Sequence, residues 1–186
     1  MHFTFFLIYD KMEQNGSEVR RVKYYIKEKF FSFKDKFYIY DESGNEKYYV
    51  EGEFFSIGKK LHLYSKDGEE LLLIKQKIWS FLPKFSIEIN GKEAERVVRH
   101  FSLKPSYSMV ERNWEIYGNF VAHDYSIMDN GLPVATIKKE WLTWADTYSI
   151  DIAPYADELM AIAAVLVIDA AEEAGENSVD GIIFNP

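Results

Sequence analysis

A chain that contains LMAIAAVLVIDAAEEAG, residues 159–175, has to build something around it. Successive helical positions point about 100° apart, so Val165, Leu166, Val167 and Ile168 together make every side of a helix apolar. Such a helix must be enclosed. A bilayer span takes about 20 mostly apolar residues, and this run ends at Asp169 after starting at Leu159, so a membrane-crossing helix is not expected. Pro154 and Asp157 mark a helix start, alanines are abundant, and Gly175 is placed as a C-terminal cap; the pattern predicts a helix over about 157–174.

The enclosing wall is legible as a repeat. The segments FFSFKDKF (30–37), FFSIGKKL (54–61), IWSFLPKF (78–85), HFSLKPSY (100–107), GNFVAHDY (118–125) and WLTWADTY (141–148) align with one another. Most then continue through a period-two alternation, such as FYIYD or FSIEI, to a turn such as DESGNE, SKDGEE, NGKE or DNGLP, and on to a second apolar run. Each unit reads as a strand pair whose Gly and Asn supply the positive-φ positions of a hairpin turn. Aromatics at 17% suit strands.

Six pairs give about twelve strands. The last unit runs into APYADE, so its partner strand is expected from residues 22–29. A solenoid is the structural rival, but hairpin units of this length lack its short rungs. A sheet this large closes or splits to hide its edges, and a barrel much wider than about eight strands cannot fill its own lumen. Ala161, Ala163, Ala164, Ala170 and Ala171 would let the wall approach a central helix closely. The expected fold is mainly β: an antiparallel closed β-barrel of about twelve strands enclosing a C-terminal hydrophobic α-helix. Residues 22–175 form the single domain. Residues 1–21 fall outside the repeat and read as an N-terminal extension ending in a polar linker, with Val22 as an alternative start; residues 176–186 read as a C-terminal tail.

The blocks KYYIKEKFFSF, NWEIYGNFVAHDYSI, KKEWLTWADTYSIDI and LMAIAAVLVIDA, in that order, closely resemble the LURP-one-related family of the tubby-like superfamily, which includes the Tubby C-terminal domain and the phospholipid scramblases. The resemblance covers about residues 23–172 and implies a twelve-stranded barrel around a central helix. Tubby domains bind phosphoinositide headgroups through basic residues, and scramblases are linked to lipid movement and calcium. No motif here matches the Tubby headgroup site residue by residue, and DIAPYADE lacks the pattern of a calcium loop.

The chain offers little catalytic chemistry. With no Cys there is no disulfide framework and no thiolate nucleophile, which suits a reducing compartment. The start, HFTFFLIYD, lacks the basic region and cleavage site of a secretory signal, so a cytoplasmic location is expected, with peripheral attachment to a membrane as its extension. A net charge of −8 argues against nucleic acid as partner. His123-Asp124 stands alone; His2, His62 and His100 add no metal-ligand set, so no metal, cofactor or catalytic residue is assigned. Ser32, Ser56, Ser80 and Ser102 recur with the repeat and read as structural. Trp79, Trp114, Trp141 and Trp144 read as packing. Asp169, discordant on an apolar helix, is expected to hydrogen-bond a strand end near the helix exit.

Charge placed on the repeat is more informative. In successive hairpins the connections between units lie at one barrel end and the hairpin turns at the other. The junctions carry a positive surplus and the turns a larger negative one. Lys34, Lys36, Lys59, Lys60, Lys75, Lys77, Lys84, Arg99, Lys104, Lys138 and Lys139 are expected to form a basic rim. Such a rim could hold an anionic phospholipid headgroup or rest on a membrane surface. Alternatively these are solvated strand ends balanced by Glu51, Glu53 and Glu140. The expected function is a non-enzymatic binding module using that rim. A protein-interaction scaffold working through exposed aromatics or a sheet edge is the alternative, and a small-molecule carrier or enzyme with a deep pocket is the second.

Overall fold

The computed structural model describes residues 21–27, 36–53, 56–101, 105–140 and 147–183. Twelve strands follow in chain order: β1 (Val22–Lys27), β2 (Phe37–Asp41), β3 (Glu46–Gly52), β4 (Lys60–Ser65), β5 (Glu70–Gln76), β6 (Lys84–Ile89), β7 (Lys92–Arg99), β8 (Ser106–Met109), β9 (Trp114–Asn119), β10 (Asp124–Asp129), β11 (Leu132–Glu140) and β12 (Thr147–Ile152). Each is antiparallel to its sequence neighbours, and β1 pairs with β12 from Val22↔Ile152 to Lys27↔Thr147, closing the barrel. The first strand thus completes the last unit, as the repeat requires. Arg21, assigned to the extension, belongs with the barrel: its Nε lies 2.5 Å from Asp151 Oδ1 on β12.

The period-two pattern sorts the side chains. Phe37 and Ile39, Leu61 and Leu63, Leu72 and Ile74, and Phe85 and Ile87 point into the lumen and are buried. Four hairpins share a device that the alternation hides. The register slips between Ile39 and Tyr40, Leu63 and Tyr64, Ile87 and Glu88, and Ile127 and Met128, each time with one extra residue in the following strand. A bulge of this kind bends and twists its strand, as a closed sheet requires. In β11 it leaves both Val134 and Ala135 buried. Asn90-Gly91 and Asn130-Gly131 take positive φ at their hairpin turns.

Helix α1 (Glu158–Ile183) fills the lumen, with residues 160–171 buried. Asp157 Oδ1 caps its start by accepting the Met160 N–H at 3.2 Å. Arg112 in the β8–β9 turn pairs with Asp157 at 2.6 Å, and Glu158 accepts the Tyr24 hydroxyl at 2.8 Å and that of Tyr48. The helix therefore enters at the turn end. It leaves at the junction end, where Glu172 accepts the Tyr107 hydroxyl at 2.8 Å and Glu173 meets Lys59 Nζ at 2.5 Å. Gly175 does not end it; the helix continues to Ile183. A glycine within a helix costs only about 1 kcal/mol, and the residues after it are compatible with helix.

Candidate functional site

The strand order carries the charge pattern into space. Lys36 precedes β2, Lys59 precedes β4 and Lys60 opens it, Lys75 lies near the end of β5 and Lys77 just follows it, Lys84 opens β6, Arg99 ends β7, and Lys138 and Lys139 lie in the last residues of β11. All nine stand toward the end where the units join, whereas Lys34 and Lys104 lie outside the described residues. The turns opposite carry Asp41, Glu42, Glu46, Asp67, Glu69, Glu70, Glu111, Asp129 and Asp157.

Much of the basic charge is locally paired. Lys36 lies 3.4 Å from Glu51 and its Nζ sits 3.4 Å above the Tyr49 ring. Lys60 reaches Glu53 at 2.8 Å, Lys75 reaches Glu88 at 2.7 Å and Lys77 reaches Glu93 at 3.0 Å. Exposed pairs of this kind contribute about 0–1 kcal/mol each, so their lysines can change partner at little cost. Lys84 and Lys138 are exposed, and the Arg99 guanidinium lies 5.8 Å from the centre of the Tyr107 ring. Lys59 is different. Burial beside the helix exit draws its pKa below the ordinary lysine value, and the hydrogen bond to Glu173 only partly offsets this.

Beneath the rim, a layer of polar groups surrounds the emerging helix. His123 adopts φ 47° in the β9–β10 connection and stacks on Tyr148, the ring centres 4.3 Å apart. Tyr148, the second residue of β12, donates its hydroxyl to Asp169, and His123 Nδ1 lies 3.7 Å from the other carboxylate oxygen. Asp169 therefore ties the helix to a strand end. The Tyr125 hydroxyl is buried nearby, and its pKa is raised by that burial first and then by the charges of Asp169 and Glu172. Among the described residues no three His, Asp or Glu side chains stand close enough to hold a metal ion.

The tryptophans divide. Trp114 is buried in the barrel, but Trp79 is 97% exposed, so its expected packing role is wrong. Trp79 sits in the β5–β6 connection, outside any alternating strand, where no second layer among the described residues covers it. Trp141 and Trp144 lie outside the described residues, as do Ser32 and Ser102. Ser56 keeps its structural role: its hydroxyl donates to the Gly58 carbonyl at 2.6 Å. Ile57, Phe81, Phe101 and Val121 share the exposure of Trp79 and the same barrel end. The repeat alignment holds the signal for them, because apolar residues recur at its second and fourth positions, ahead of the strand.

A family model described as LURP-one-related matches residues 22–169, the span from the first residue of β1 to Asp169. The chain is 36% identical over 149 residues to the uncharacterized protein YxjI of Bacillus subtilis (strain 168), covering 80% of this chain and 92% of that protein. An X-ray structure of an Arabidopsis thaliana protein superposes with a TM-score of 0.61 at 17% identity, covering 81% of this chain and 90% of that one, and shares the fold. No helix among the described residues is long and apolar enough to cross a membrane.

Proposed function

The chain belongs to the LURP-one-related family, and from that premise we propose that it is a non-enzymatic, cytoplasmic binding module whose junction end engages anionic phospholipid headgroups at a membrane surface. The observation that supports this reading is the convergence of lysines and arginine from several strand connections on one barrel end, with the acidic turns at the other. A basic residue near an anionic leaflet is worth about 1 kcal/mol, and an opposed acidic end orients the molecule as it approaches. Local ion pairs offset part of this, since Glu51 and Glu53 stand level with Lys36 and Lys60 at the same strand ends, but two others leave the lysine outermost. Lys75 pairs with Glu88 and Lys77 with Glu93, so the ammonium groups are the members nearer the mouth.

The other readings have less behind them. Closure of the barrel leaves no free sheet edge among the described strands to template a partner strand. The lumen that a carrier or enzyme would use is filled by the buried stretch of α1. Flotation with vesicles of phosphatidylcholine alone and with added phosphatidylglycerol tests the proposal. Wild-type protein is expected to float only with the anionic vesicles, and Lys60→Glu/Lys84→Glu/Lys138→Glu is expected to weaken binding by about a hundredfold or more. A wild type that stays at the bottom of the gradient, or a triple variant that floats equally well, overturns the reading.

A further inference from the structure

The most exposed large apolar side chains of the described chain share one end of the barrel. Trp79 is 97% exposed, Phe81 95%, Phe101 88%, Ile57 81% and Val121 73%. They stand on four successive connections, β3–β4, β5–β6, β7–β8 and β9–β10, all at the basic end. Among the described residues the turn end carries only Val22 and Val110 in this class, at 37% and 42%. Scattered exposed hydrophobes need no explanation, but a set gathered at one end with this exposure does.

The repeat places them. Ile57, Phe81 and Val121 occupy the fourth position of their aligned segments, and Trp79 and Phe101 the second. Phe33, Leu103 and Trp144 hold the fourth position in the other three segments and lie outside the described residues. Backbone bonds brace the connections beneath the tips. Gln76 N–H donates to the Lys59 carbonyl at 2.8 Å, Lys77 N–H to the Lys84 carbonyl at 2.8 Å, and Lys59 N–H to Gln76 Oε1 at 3.0 Å. Together with the Ser56 bond to Gly58, these hold Ile57 outward without a further ordering cost on binding.

We infer that these side chains form an insertion surface, entering the interface of an anionic bilayer while the adjoining Lys60, Lys77, Lys84 and Arg99 meet its headgroups. This inference rests on the proposed membrane reading and deepens it: the partner is an assembled bilayer and not a free headgroup. Two features select a bilayer over a protein surface. The tips are single side chains on separate loops interleaved with lysines, whereas the cores of protein interfaces are depleted in lysine. Tryptophan and phenylalanine beside lysine and arginine are the composition that settles at the boundary between headgroups and acyl chains.

The test compares wild type, Trp79→Ser/Phe81→Ser/Phe101→Ser and Trp79→Phe. All three are first checked for an unchanged melting curve, as substitutions of exposed tips should give. Binding to phosphatidylglycerol-containing vesicles is measured as salt rises from about 0.1 M to 1 M, over which the screening length falls from roughly 10 to 3 Å. Wild type and Trp79→Phe are expected to keep measurable binding at high salt, with the triple variant about a hundredfold weaker because its apolar contribution is removed. Lipids brominated on their acyl chains should quench a share of wild-type fluorescence that Trp79→Phe lacks. Binding of the deacylated headgroup, glycerophosphoglycerol, as tight as binding to vesicles overturns the inference. Vesicle binding that the triple variant retains in full at high salt overturns insertion while leaving headgroup binding standing. Failure of the wild type to bind vesicles at all removes both. Self-association in sedimentation that the triple variant abolishes, with vesicle binding unchanged, assigns the tips to contact between copies and overturns the inference.

Discussion

Removing the Asp169 carboxylate tests how the helix is held in its barrel. The Tyr148 hydroxyl, on a side chain that is 0% exposed, donates to this carboxylate, and His123 stacks on the same tyrosine. A hydrogen bond to a charged acceptor contributes about 1.5 kcal/mol or more, and burying a hydroxyl whose acceptor has been removed costs a similar amount. Asp169→Ala is therefore expected to destabilise the fold by about 3 kcal/mol. At roughly 2 kcal/mol per M of urea, the unfolding midpoint falls by about 1.5 M. Asp169→Asn keeps an acceptor oxygen and should lose only about 1 kcal/mol. Tyr148→Phe should lose about 1.5 kcal/mol, and the double variant Tyr148→Phe/Asp169→Ala less than the sum, with a coupling of about 1.5 kcal/mol in the double-mutant cycle. Urea unfolding followed by tryptophan fluorescence and circular dichroism reads all four. Additivity within about 0.3 kcal/mol would show that the two residues do not act as a pair. An Asp169→Ala protein as stable as wild type but deficient in vesicle binding would refute the structural role and give Asp169 to function.

Two further outcomes follow from the wall of the barrel. Burial pushes the Glu95 carboxyl above its ordinary range, and the hydrogen bond it shares with Glu111, with help from Arg96, holds the Glu111 carboxyl down to about 2. A carboxylate depressed below its ordinary 4.5 contributes stability that is complete above that value and is lost as pH falls toward 2. Glu111→Gln should therefore flatten the acid limb of urea midpoint against pH in that window; an acid limb unchanged from wild type would contradict the assignment. Gly118, at φ 146°, pairs with Tyr125, and a Cβ there would lie 2.5 Å from the Tyr125 Cα and 2.6 Å from the Asp124 carbonyl oxygen. Backbone at that distance cannot step aside, so Gly118→Ala is expected to lower stability by about 2 kcal/mol or more, read as a drop of several degrees in melting temperature. A variant melting with wild type would mean that β9 and β10 separate more easily than the register indicates.

Local regularities carried much of the architecture. Phe85 and Ile87 alternate with polar neighbours because a strand between water and a core demands it, and that alternation is visible without coordinates. Asn90-Gly91 and Asn130-Gly131 announce their turns because few residues tolerate positive φ. The bulges were not legible. Leu71 and Ala94 look like ordinary members of their strands, and only the pairing of β4 with β5 and of β6 with β7 shows that they have no partner opposite. The site was half legible. Lysine positions followed from hairpin order, but the acids of the outgoing helix did not enter that reasoning, and Glu173 on Lys59 changes what that lysine can offer a ligand.

The sequence by itself determined the hairpin count, the need for enclosure around residues 159–168 and the separation of charge, because each depends on periodicity along the chain. The register of β1 on β12, the direction of α1 through the lumen and the exposure of Trp79 were decided only in three dimensions. Trp79 shows the physical reason. Composition says that tryptophan favours burial, but burial needs a neighbouring layer, and whether a connection has one depends on where strands far apart in sequence come to lie. In this barrel α1 fills the inside and nothing among the described residues covers that mouth, so the same residue type is core at Trp114 and surface at Trp79.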